Sequence, residues 1–344
     1  VLAVAVVLGC ALAISPARAS NDDDDDDAPG GRFCTATALA LSVSCRSEVK
    51  DDYFRAKSLC INLDEAEERA ACLVEATNAG VEAHETCRDQ RAARRQLCNA
   101  LGESRYDPDF DPAAFDDDFE NPSHPNPYFP LTIGNRWEFA GGDETIRVEV
   151  RDETKNIEGV TCIVVNDRVE VDGLVVEDTD DWYGQAKDGS VTYCGEIASN
   201  FEVFEGDDPA DPELVDVDGS WKAGRDGDLP GTQMLAVPVP GDVYRQEFSP
   251  GNAEDAARVL SNSYGYGSDP ALDDFVPQAL ATHLCSTNDC VVTSEFTPLE
   301  PGTFQRKYYA PGIGLFLEVN PGSGSAVSLV DCNFHAKCAE LPAP

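Results

Sequence analysis

The sequence predicts an α+β protein: an N-terminal antiparallel helical hairpin pinned by disulfides, followed by a large antiparallel, curved or barrel-like β-domain. Three observations predict it. Six cysteines from Cys34 to Cys98 are separated by 10, 14, 11, 14 and 10 residues, a palindrome. The stretch that holds them is rich in Ala, Glu, Arg and Gln and nearly free of Pro and Gly, a helix-forming composition. Beyond Pro127 the pattern changes to period-two alternation bounded by Gly and Asp turns, as in half-buried strands.

Residues 1–19 read as a secretory signal. An apolar run from Val1 to Ile14 ends at Ala17-Arg18-Ala19, a small-x-small cleavage site. The run is too short to span a bilayer, and no other apolar stretch is longer. Val7-Leu8-Gly9-Cys10 resembles a lipobox, so the alternative is a lipid anchor at Cys10. Cleavage removes one cysteine of 13 and leaves 12, an even number suited to full pairing outside the cytoplasm. Residues 20–31 carry six consecutive aspartates, a self-repelling spacer that can bury nothing.

Net charge is −39, from 64 acidic and 25 basic residues. Such a chain is repelled by nucleic acid and by anionic membranes. It suits solubility in salt and the attraction of cations.

Residues 32–102 form the hairpin. At roughly 100° per residue, eleven positions bring Cys34 and Cys45 to within about 20° of each other, and Cys87 and Cys98 likewise. The position sums favour the nested pairs Cys34–Cys98, Cys45–Cys87 and Cys60–Cys72 among the 15 pairings that six cysteines allow. Thiolate-lined helices can also store Cu(I), but exported thiols oxidise and no CxxC pair is present. Asn62 or Asp64 is placed to cap the second helix, with Glu65 or Glu67 completing a capping box, and Gly102 to end it. Arg88, Arg91 and Arg95 make a basic stripe, either solvated or facing the acidic linker or a partner.

Residues 103–126 are a linker rich in Pro and Asp whose Tyr106, Phe110, Phe115 and Phe119 predict that it lies against a domain surface. Asp107, Asp109, Asp111 and Asp118 are spaced as in a calcium loop, although Pro112 replaces the usual sixth-position Gly and Asp118 the usual Glu. Ca2+ is the one cofactor the chain suggests.

Residues 127–344 form the β-domain. Predicted strands are Thr145–Val150, Cys162–Val165, Leu174–Glu177, Ser190–Cys194, Val243–Phe248, Cys290–Ser294, Phe304–Tyr309 and Leu315–Val319. Asp172-Gly173 and Asp188-Gly189 are hairpin turns. Residues 269–284 read as one inserted amphipathic helix with Leu272, Phe275, Val276, Ala279 and Leu280 on a face. The remaining cysteines pair economically as Cys162–Cys194, Cys285–Cys290 and Cys332–Cys338.

Three segments carry a resemblance: Asn126-Pro-Tyr-Phe-Pro-Leu-Thr-Ile-Gly-Asn-Arg-Trp137; Asp181-Trp-Tyr-Gly-Gln185 with Val191-x-Tyr-Cys-Gly-Glu196; and Lys307-Tyr-Tyr-Ala-Pro-Gly-Ile-Gly314. They are similar to segments of uncharacterised secreted bacterial proteins over most of residues 126–320. The resemblance implies an exported β-rich domain and supplies no catalytic residues.

Chemistry is sparsely marked. His84, His124, His283 and His335 form no HExxH or His-x-His arrangement, and no GxSxG elbow, P-loop or dinucleotide-binding glycine pattern occurs. With the mature cysteines committed to bridges, none is left as a nucleophile. Glu196, Glu247 and Asp181 are candidate carboxylates, drawn from an abundance of acids that makes the choice weakly informative. Tyr244, Arg245, Glu247, Arg306 and Tyr308 lie on aromatic strands and could hold an anionic or sugar-like ligand, against the plainer reading of cross-strand ion pairs and core aromatics. The expected function is therefore a non-enzymatic binding or cell-surface interaction protein, with an extracellular ligand or protein partner and no nucleic acid. The alternatives are a carboxylate-based hydrolase and a calcium-binding structural or adhesion protein.

Overall fold

A computed structural model describes residues 31–342. The signal, Cys10 and the aspartate run lie outside the described residues. Helices α1 (Phe33–Ile61) and α2 (Ala66–Leu101) pack antiparallel. Cys34–Cys98, Cys45–Cys87 and Cys60–Cys72 join them as nested rungs with Cα separations of 5.6, 5.8 and 5.5 Å. The capping box does not form. Asn62 closes α1, and α2 starts after Glu65 with no side-chain cap. Arg69 instead reaches back to the carbonyls of Leu63 and Asp64, so a cation from the first turn of α2 holds the connection. Gly102, at φ +91°, ends α2 and bonds Cys98 O through its N–H.

Strands β1 (Arg136–Gly141), β2 (Glu144–Ile157), β3 (Val160–Val171), β4 (Leu174–Gln185) and β5 (Val191–Glu202) form a meander. The short strands β6 (Glu213–Asp216), β7 (Trp221–Lys222) and β8 (Gly231–Met234) all pair with β5. A second meander runs through β9 (Val243–Arg245), β10 (Ala256–Tyr264), β11 (Cys290–Phe296), β12 (Gln305–Ala310), β13 (Gly314–Asn320) and β14 (Ser325–Cys332). Antiparallel pairing of β14 with β1 joins the two meanders into one 14-stranded sheet. The ladder does not close, although an isolated pair, Leu229 with Phe248, links the segments beside β8 and β9.

Five strands separate β4 from β12 in the sheet order. Laid flat, that is about 29 Å at the usual strand spacing. Asp181 of β4 and Lys307 of β12 nevertheless line one cavity, so the sheet curls on itself.

Two elements cover its outer face. The linker packs Phe115 over Cys162, Trp182 and Cys194, and Tyr106 against Phe248 with ring centroids 4.9 Å apart. The 269–284 segment is not one helix. A 3-10 turn at Pro270–Leu272 is followed by a seven-residue helix, α3 (Gln278–Leu284). Pro277 breaks the run, because proline lacks an N–H and disfavours helical geometry in the residue before it. Leu272, Val276 and Leu280 are buried as the pattern expects, whereas Phe275 is 54 % exposed and Ala279 also faces solvent. Among the described residues no helix is long and apolar enough to cross a membrane.

The predicted strand at 243–248 stops at Arg245. The N–H groups of Gln246 and Glu247 both bond to Asp255 O, at 2.8 and 3.2 Å, which makes a bulge and ends regular pairing.

Candidate functional site

Alternation along β3 and β4 turns Val165 and Asp167, and Glu177, Thr179, Asp181 and Tyr183, toward the hollow of the sheet. On β5 the alternation is broken. Trp182 pairs with Gly195 but Tyr183 pairs with Tyr193, so Cys194 is an extra residue. This bulge puts Tyr193 and Glu196, three positions apart, on the same face; unbroken alternation would place them on opposite faces. Gly195 makes it possible. Its φ is +136°, and a Cβ there would stand 2.5 Å from Trp221 O. The second bulge, at Gln246 and Glu247, turns Glu247 to the same space.

The space is a cavity of about 440 Å³. Asp167, Glu177 and Asp181 come from β3 and β4, Glu196 from β5, Glu247 and Asp255 from the segment between β9 and β10, and Glu295 and Glu300 from β11 and the loop after it. Lys307 is the one cation lining it among the described residues. It is already engaged, with Nζ 3.0 Å from Glu295 and 3.6 Å from Glu318. Burial works against the Lys307 ammonium, but these two carboxylates outweigh it and hold its pKa well above the ordinary value. Burial likewise opposes the ionisation of Glu295. The Lys307 charge and donated bonds from Tyr309 and Thr293 bring its pKa below normal all the same.

For five other acids burial outweighs the compensation they receive. Burial first, then its acidic neighbours, pushes Asp181 up to about 7, against the lowering bond from Tyr193. Burial and the nearby Asp181 push Glu196 up to about 8. Asp167, Glu247 and Asp255 are raised too, burial being the largest cause for each. The Tyr193 hydroxyl lies within hydrogen-bond reach of both Asp181 and Glu196, the latter at 3.0 Å. Its single phenolic proton is shared between the two carboxyl groups. Among the described residues Arg94 Nη1, Asp167 Oδ1, the indole nitrogen of fully buried Trp221, Asp289 Oδ1 and Arg306 Nε are buried without a hydrogen-bond partner, and of these Asp167 Oδ1 belongs to the cavity wall. The Trp221 N–H faces the Glu247 carboxyl without reaching bonding geometry.

A smaller chamber of about 150 Å³ adjoins this cavity, lined by apolar groups that include Phe129, Leu131, Trp137, Phe139 and Val150. Asp167, Asp181, Tyr183, Gln233 and Lys307 line both spaces. The three segments singled out in the sequence meet here. The Phe129 and Tyr183 rings touch edge to face at 4.9 Å, and Trp137 Nε1 donates to Ile313 O at 2.7 Å.

Of the candidate carboxylates, Asp181, Glu196 and Glu247 thus share one cavity. The aromatic and cationic set is divided. Arg306 donates to the carbonyls of Ala271 and Asp274, both at 2.7 Å, and Tyr308 to Leu272 O, also at 2.7 Å. Both clamp the inserted segment on the outer face, one position out of step with Lys307 and Tyr309, which face inward. Arg245 lies over the Phe248 and Tyr106 rings at 5.1 and 5.7 Å, beside the linker, whereas Tyr244, the adjacent strand position, lies near Glu295, Lys307 and Tyr309. The calcium-loop aspartates are spent on turns: Asp109 accepts from Asp111 N, Asp111 from Ala113 N, and Asp118 from Glu120 and Asn121 N, while Asp107 pairs with Arg105. Among the described residues no three acid, histidine or cysteine side chains are grouped to hold a metal ion.

One further contact escaped the sequence pattern. Arg94, between the residues of the predicted basic stripe, is buried against Glu254 with a two-pronged bond: Nε to Oε2 and Nη2 to Oε1, both 2.8 Å. Gln90 adds a bond to Leu299 O at 3.0 Å. These residues fasten the arm to the β-domain.

No protein-family model and no curated protein matches the chain. Among solved structures, a Bacteroides fragilis protein described as a candidate exported protein with a YmcC-like fold aligns at TM-score 0.28 and 12 % identity. The alignment covers 61 % of this chain and 98 % of that one.

Proposed function

We propose that this chain is an exported binding protein whose ligand site is the carboxyl-lined cavity of the β-domain. The observation that carries the reading is the cavity itself. Two bulges break strand alternation to aim Glu196 and Glu247 inward, and a buried carboxyl oxygen on its wall, Asp167 Oδ1, is left without a partner. Folding gains nothing from uncompensated buried acids, which cost stability unless they serve a ligand. Six disulfides support export, since such bonds persist in oxidising compartments. The stapled arm then acts as a rigid extension on which a surface partner can dock.

The test is mass spectrometry of protein taken from its native source, with thermal-shift screening of a metabolite library against the wild type and Val148→Phe. That substitution fills the smaller chamber. Co-purifying small molecules, or stabilising hits lost in the variant, are expected; no ligand by either route overturns the reading.

A carboxylate hydrolase is the second reading, favoured by Asp181 and Glu196 sharing the Tyr193 hydroxyl with pKa values raised into the range of a working acid. Turnover of a glycoside by the wild type that Glu196→Gln abolishes would replace the binding reading with this one.

A further inference from the structure

The two adjoining chambers differ sharply in chemistry, and their junction defines what fits. The larger is acidic. Its one lining cation among the described residues, Lys307, is already paired with Glu295 and Glu318. Among the described residues no salt bridge joins Asp167, Glu177, Asp181, Glu196, Glu247 or Asp255 to a cation, and where the Lys307 charge reaches Asp167 and Asp255 it does not offset their burial. A neutral polyol would leave that deficit in place and an anion would deepen it; a cation relieves it.

The smaller chamber is apolar. At about 150 Å³ it matches the size at which a dry protein cavity takes up a benzene-sized group. Left empty, a void of that size costs packing energy. Asp167 stands where the chambers join. Its Oδ1 is shut off from solvent and accepts no hydrogen bond among the described residues, so it lacks a donor. Asp181 and Tyr183 flank the same junction. A carboxylate pair at the mouth of an apolar chamber is suited to an organic ammonium ion.

We propose that the joined chambers bind a small organic ammonium ion carrying an apolar group about the size of an aromatic ring. The ammonium sits between Asp167 and Asp181, and the apolar group fills the chamber beside Trp137. The inference rests on the cavity being a ligand site and adds the ligand's class.

Calorimetry with 2-phenylethylamine, 2-phenylethanol and methylamine tests it on the full chain. The amine is expected to bind at least tenfold tighter than the alcohol, which has the ring without the charge, and than methylamine, which has the charge without the ring. Asp167→Asn is expected to weaken the amine at least tenfold and the alcohol less than twofold; Asp181→Asn serves as the second variant. Equal binding of amine and alcohol, or tighter binding of the alcohol, overturns the ammonium assignment and leaves the cavity reading standing. Methylamine as tight as the amine overturns the role of the apolar chamber. No binding of any probe overturns the ligand class, and the cavity reading falls with it only if the library screen is also empty.

Discussion

Tyr193 and Glu196 face the same cavity although three positions on one strand separate them, because Cys194 is bulged out of the ladder and Gly195 takes a left-handed turn. Replacing Gly195 with Ala presses a methyl group into the Trp221 carbonyl at an unfavourable φ. The expected cost is about 1–3 kcal/mol in chemical denaturation, and the Tyr193–Glu196 arrangement is lost with it. A cost below about 1 kcal/mol would mean that the bulge is soft.

Stability is expected to fall as pH rises. Asp181 and Glu196 have folded-state pKa values of about 7 and about 8, above their ordinary values of 3.8 and 4.5. The native state therefore holds protons that the unfolded chain releases. The stabilising contribution is complete below about pH 4 and is lost through pH 7 for Asp181 and pH 8 for Glu196. Each adds a slope of about 1.4 kcal/mol per pH unit at most within its window. Melting curves from pH 4.5 to 8.5 check this, and Glu196→Gln is expected to flatten the upper part. A curve that rises through this range contradicts the assignment.

Arg94→Ala leaves the Glu254 carboxylate buried without its guanidinium. Breaking such a pair from one side costs about 3–5 kcal/mol, and the double variant with Glu254→Ala is expected to recover part of it. Hydrogen exchange should localise the loss to the docked half of α2, and uniform protection in Arg94→Ala would show that other contacts hold the arm.

Lys307→Met and Arg306→Ala separate the two faces of β12. The first strips Glu295 and Glu318 of their counter-charge, with an expected loss of about 3–5 kcal/mol. The second frees the carbonyls of Ala271 and Asp274. It is expected to raise exchange in the 270–284 segment while ligand binding in the cavity stays within twofold. Equal effects of both variants on binding would contradict the division of faces.

Much of the architecture was legible in the sequence. Cysteine spacing is geometric, and a palindrome has few physical explanations besides nested rungs between two helices. Alternation and Asp-Gly turns located the longer strands. The site was only half legible, for one reason: strand parity. Arg306 and Tyr308 stood out by residue type, yet a single position decides which face a strand residue serves, and Lys307 and Tyr309 face inward. Asp181, Glu196 and Glu247 could be named but not joined, because a bulge has no periodic signature. Gly195 and the paired N–H groups on Asp255 O are the local signals, and they become readable only with the partner strand in place. Pro277 was a visible breaker that the apolar periodicity of residues 272–280 obscured.

The Cys162–Cys194 bridge lies directly behind the bulge, on the outer side of the sheet, and links the two strands that flank β4. It passes Gly184, whose missing side chain leaves room: a Cβ there would be 3.4 Å from Cys194 Sγ. The same short stretch thus carries a covalent anchor on one side and the Tyr193–Glu196 pair on the other. Under the proposed function, ligand capture is consequently tied to thiol oxidation. A newly made chain still in reducing surroundings would lack the tether that sets the acids in position, and would gain its affinity only on reaching an environment that forms the bond.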